Sequence, residues 1–139
     1  MISFYKDREK RILNPDLFSD VAEKLADNIY KSGLRKKKNG KQKLELNKRT
    51  QIRKFYDEVI RLNSLANNKT NSEDWHNIWP YVNMLIAKAA YAEGRDNVTG
   101  DFTDFMKQSI KQIRDSKDLL VFANFFEAFM GFYRKYGEN

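Results

Sequence analysis

Apolar residues along most of this chain recur every third or fourth position, which gathers them on one side of a helix. No run of strict alternation is long enough to argue a strand. The pattern predicts an all-α fold: a single-domain bundle of about five to six helices over residues 1–139, with a basic flexible loop at about 34–46. Asp16 stands as an N-cap before Leu17, Val21, Leu25 and Ile29, and Gly33 follows where a left-handed stop is wanted. The next stretch, RKKKNGKQK, has no apolar residue and an Asn39-Gly40 centre, so it reads as a mobile loop that orders on a partner.

A second helix is expected from about Asn47 to Asn67. It would carry Ile52, Phe55, Tyr56, Val59 and Asn63 on one face and Arg53, Lys54, Asp57 and Arg61 on the other, with Arg49 flanking the apolar edge. Ser72 is expected to cap a third segment containing Trp75, Ile78 and Trp79. Pro80 should break or kink that segment, because proline lacks the amide and clashes with the preceding turn. Tyr81 to Ala92 then holds one charge in twelve residues, the composition of a central helix surrounded by others, and Gly94 ends it. Asp101 would cap a fourth helix with Phe102, Phe105, Met106, Ile110 and Ile113 inside. The last, from about Lys117 to Tyr136, turns Phe122, Phe126, Phe129 and Tyr133 inward. Phe125 and Phe132 lie on its margin, where core packing is the first expectation and a contact between subunits the second.

Charge changes the picture in one place. The chain has 26 Lys and Arg against 19 Asp and Glu, and eleven of those bases with the single acid Glu45 lie between Lys31 and Lys54. That segment carries +10, so the rest of the chain is slightly acidic and the formal +7 has one source. A concentrated field of this kind, running into an ordered helix, suits a polyanion-binding surface. Arg53 with Asp57, or Lys54 with Glu58, are spaced to pair with each other on a helix surface. Such pairing does not account for the ridge formed by Lys48, Arg49, Arg53, Lys54 and Arg61, continuous with Lys36, Lys37 and Lys38. Lys88 is the one charge in the apolar helix, and two readings stay open: an ion pair with Glu127, or a phosphate contact.

Catalytic chemistry finds little support. There is one histidine, His76, expected to pack at an interface beside Trp75, and no glycine-rich phosphate loop. Asp101 and Asp104 are spaced as helix-start residues rather than as metal ligands, so neither a metal site nor a cofactor is expected. With no cysteine, disulfides and thiolate zinc sites are ruled out. No stretch is apolar and long enough to span a bilayer, and the lysine loop has no apolar anchor for a membrane surface, so a cytoplasmic protein without a membrane partner is expected. Asn68-Lys69-Thr70 and Asn97-Val98-Thr99 match the glycosylation triplet but read as loop residues.

Three segments carry a resemblance: Thr50-Gln51-Ile52-Arg53-Lys54-Phe55-Tyr56, then Met84-Leu85-Ile86-Ala87-Lys88-Ala89-Ala90-Tyr91-Ala92-Glu93-Gly94-Arg95, then Phe125-Phe126-Glu127-Ala128. In order and spacing the chain resembles the small subunit of the type III-A CRISPR effector, the Csm complex; the first 45 residues match less clearly. The resemblance implies a non-catalytic helical protein that stacks in several copies along the complex. It would lie beside the backbone subunits and the large subunit, against guide RNA paired to target RNA. It also implies basic contacts from Arg53, Lys54, Lys88 and Arg95. A guide-target duplex offers phosphates and hydroxyls more than readable bases, so sequence-independent cationic contacts suit it. The competing expectation is a stand-alone helix-turn-helix-like DNA binder that uses the Asn47 helix as its reader.

Overall fold

A computed structural model describes residues 2–68 and 74–136. The order of elements is β1 (Tyr5–Asp7), β2 (Ile12–Leu13), a π-helical turn (Leu17–Val21), α1 (Ala22–Ser32), β3 (Leu34–Lys36), β4 (Gln42–Leu44), α2 (Arg49–Asn67), α3 (Trp75–Gly94), α4 (Gly100–Ile110), α5 (Ser116–Tyr133) and a 3-10 turn (Arg134–Tyr136). The fold is mostly helical, as the periodicity predicts. The strands form two separate antiparallel hairpins, β1 with β2 and β3 with β4, which were not expected. Strands of two or three residues are too short to show a period of two.

The centre of the molecule is α5, packed against both α1 and α2. Its Phe122, Phe125, Phe126 and Phe129 are sealed from water and stack into one aromatic cluster with Phe4 and Phe105. Phe125 therefore cannot serve a subunit contact, and Phe132 is half-buried against the same core. The N-terminal hairpin is clamped to the start of α5 by Asp118. This fully buried carboxylate accepts from the Tyr5 hydroxyl at 2.5 Å, from Arg8 at 3.0 Å and from the Arg114 amide at 3.0 Å.

Two expectations about α3 fail. The helix runs unbroken through Pro80. That proline is the sixth residue of the helix, and the His76 carbonyl it deprives of an amide sits in an exposed turn where water reaches it. Nor is the helix central. It packs mainly on α2 and α4, through the stripe Ile78, Val82, Leu85, Ala89 and Ala92, and leaves Tyr81, Met84 and Tyr91 exposed at 54%, 47% and 67%. The cap of α3 is Asp74, whose side chain accepts from the His76 amide, while Ser72 lies outside the described residues, as do Lys69 and Thr70 of the Asn68-Lys69-Thr70 triplet. His76 is exposed on the surface of the chain.

Gly33 is not a left-handed stop either, since its φ is −89°. A side chain there would overlap the Leu46 carbonyl, and the Gly33 carbonyl accepts from the amides of Glu45 and Leu46. It is glycine because the strand returning from β4 passes directly over it. Asp16 meets the first helical turn through its carbonyl, with no side-chain cap bond.

Candidate nucleic-acid interface

Asn47 places the basic elements relative to one another. It is fully buried, with φ +59°, a left-handed conformation that asparagine adopts more readily than most residues. Its side-chain amide donates to the Ile29 carbonyl at the end of α1 and to Thr99 Oγ1, and its Oδ1 accepts from the Thr99 amide at the start of α4. Its own main-chain amide donates to the Asn97 carbonyl at 3.0 Å. The start of α2 is thus tied to the loop that follows α3. Asn97 and Thr99 do belong to a loop, but Thr99 is nearly buried in this network.

The segment expected to be an irregular loop at 34–46 is instead the β3–β4 hairpin, paired Leu34 to Leu44, Arg35 to Lys43 and Lys36 to Gln42, with Gly40 at φ +83° in its turn. Main-chain ladder bonds and the anchor at Gly33 hold it, so it needs no apolar run. The Arg35–Lys43 pairing sets two like charges directly opposite, an arrangement that costs stability until an anion offsets it. Lys36 and Lys38 are exposed, and Lys37 pairs with Glu45, holding that carboxylate below its usual range.

Along α2 and α3 runs a groove of about 320 Å³, floored by Phe55, Leu85 and Ala92 and walled by Lys54, Lys88 and Tyr91. Lys54 has no acidic partner among the described residues. The acid spaced to pair with it, Glu58, instead takes Arg61 in a bidentate grip at 2.8 and 3.0 Å and Lys88 more loosely at 3.7 Å. Lys88 therefore neither lies buried nor meets Glu127; it is half-exposed and faces α2. The Arg61 hydrogen bonds, then the charges of Arg61 and Lys88, keep Glu58 ionised below its usual range. Two cations around one carboxylate leave a net positive charge at the groove. Arg53 does not line it; it is exposed and 3.9 Å from Asp57. Arg49 is half-buried at the start of α2.

At the other end of the groove Arg95 reaches back one turn to Tyr91. Its guanidinium donates to the Tyr91 hydroxyl at 3.1 Å and lies 5.6 Å from the ring centre. Tyr91 belongs to the site but was not singled out from the sequence, where the apolar helix around it suggested a core. Its spacing of four from Arg95 was the available signal. Lys54 and Lys88 line the groove and Arg95 meets it through Tyr91, while Lys36, Lys37 and Lys38 lie on the hairpin and Lys48 at the N-terminus of α2, none of the four in the groove lining. Arg53 lies outside this set, and Arg61 is engaged by Glu58. Asp101 and Asp104 line a separate depression with Lys24 and Asn28, and no group of acids and histidines suited to a metal ion occurs among the described residues. No helix among them is long and apolar enough to cross a membrane.

Over residues 13–139 the chain matches the family model described as Csm2 Type III-A. Comparison with curated proteins and with solved structures found no match.

Proposed function

The chain belongs to the Csm2 Type III-A family, the small subunit of a type III-A CRISPR effector, and from that premise we propose that it binds RNA through its backbone without reading sequence. In this reading it is a non-catalytic, cytoplasmic subunit. Copies stack along the guide-target duplex beside the backbone subunits, and cutting is left to other members of the complex.

One observation carries the RNA-binding reading: the groove lined by both Lys54 and Lys88, with Arg95 joined to it through Tyr91 and the lysines of the β3–β4 hairpin just ahead of α2 in the chain. These are separate cations on a rigid frame, spread along a surface rather than converging on a point. Such a surface suits a string of phosphates and supplies no pattern of donors and acceptors with which to tell one base from another. A protein serving any guide needs that indifference.

The test is affinity for several RNA duplexes of matched length and unrelated sequence, measured over a range of salt. Equal affinities are expected, with log affinity falling against log salt at a slope of about −3 to −4 for some four phosphate contacts. A strong preference for one duplex sequence would instead support a helix-turn-helix-like reader.

A further inference from the structure

Tyr91 is the most exposed large apolar side chain among the described residues, 67% open to solvent, yet it is not loose. Arg95 donates to its hydroxyl at 3.1 Å and lies over one face of its ring, so one orientation of the ring is favoured before any partner arrives and the other face is left for a partner. An amphipathic ring fixed in this way loses little side-chain entropy on contact, whereas a free tyrosine would lose more. The ring stands at the wall of the same groove that holds Lys54 and Lys88, over a floor of Phe55, Leu85 and Ala92. At about 320 Å³ the groove lies at the small end of ligand pockets, which run from about 300 to 1,000 Å³.

Phosphate contacts alone give no use for this ring. Bases inside a duplex are stacked on one another and present no free face, so an aromatic platform beside two cations is matched only by a base that has left the stack. Every base has such a face, which keeps the contact independent of sequence. Resting on the RNA-binding reading above, we propose that the α2–α3 groove receives an unpaired nucleotide of the bound RNA. Its base lies on the Tyr91 ring, and its flanking phosphates lie on Lys54 and Lys88.

The experiment compares two RNA duplexes identical except that one carries a single bulged 2-aminopurine. Binding of the full-length protein to each is measured, along with the fluorescence of the bulged base. The wild-type protein is expected to favour the bulged duplex by about 5- to 150-fold, the range for stacking one base on an aromatic ring, and to quench its fluorescence. Tyr91→Leu keeps an apolar side chain on an exposed position of the helix. It should abolish both the preference and the quenching, while Tyr91→Phe, which keeps the ring and loses the hydroxyl held by Arg95, should retain both with a weaker preference. No preference in the wild-type protein, or a preference that survives Tyr91→Leu, overturns the proposal while leaving phosphate binding intact. Failure to bind either duplex overturns the RNA-binding reading, and this one with it.

Discussion

The Tyr133 hydroxyl donates to the main-chain carbonyl of Asn47 at 2.6 Å, with both residues sealed from water. The bond joins the end of the central helix to the residue that ties together α1, the start of α2 and the loop after α3. Positions of the cations thus depend on a polar network inside an aromatic core.

Tyr133→Phe should cost about 1 to 3 kcal/mol, because it leaves a buried carbonyl without a donor. Asn47→Ala should cost more, since it removes four side-chain hydrogen-bonding contacts to α1 and Thr99 and puts alanine at a positive φ. Urea unfolding followed by circular dichroism measures both.

Alkali should act through the same tyrosine. Burial pushes the Tyr133 hydroxyl well above its ordinary value near 10, and the neighbouring Tyr30 and Tyr136 raise it further. A group whose folded value is raised contributes its stability in full below the unfolded value and loses it as pH climbs toward the folded one. Stability measured above pH ~10 should therefore fall faster in the wild-type protein than in Tyr133→Phe, narrowing the gap between them. Parallel curves would show that Tyr133 ionises as freely folded as unfolded.

At the other end of α5, Asp118→Ala should release the N-terminal hairpin and cost about 2 to 3 kcal/mol. That is below the full penalty for breaking a buried pair, because Arg8 and Arg11 are partly exposed and regain water. Hydrogen exchange should show residues 4–13 losing protection before the core helices do.

Gly33→Ala should destabilise by about 1 to 3 kcal/mol, since the added methyl displaces the Leu46 backbone that crosses it. The change should appear in the hairpin signals and at the start of α2 by nuclear magnetic resonance, with α5 unaffected.

The helices that face the core on one side were legible in the sequence. Phe55 and Val59 on α2, Phe102 and Phe105 on α4, and Phe122, Phe126 and Phe129 on α5 all point where their spacing says. α3 was misread because an apolar surface left exposed and an apolar surface already buried have the same composition. Tyr81, Met84 and Tyr91 belong to the first kind. The β3–β4 hairpin carries no apolar pattern, since main-chain bonds and the close pass over Gly33 define it. Asn47 showed only as a helix boundary, because the four segments it joins are far apart along the chain. For the same reason Glu127 stood as the candidate acid in one of the two readings of Lys88, although its acid is Glu58 on the neighbouring helix. The local excess of lysine and arginine was legible, but which of those cations are already neutralised was only partly so: spacing gave Arg53 its acid, Asp57, and missed that Glu58 takes Arg61 and Lys88 in place of Lys54.

The central claim is that Lys54, Lys88 and Arg95 act together on RNA phosphates. Its most direct measurement is the salt dependence of RNA affinity in the wild-type protein and in the triple variant Lys54→Ala, Lys88→Ala, Arg95→Ala. All three side chains lie at the surface, so helix content by circular dichroism should not change. The slope of log affinity against log salt should become shallower by about 2 to 3. An unchanged slope and affinity in a folded triple variant would contradict the account.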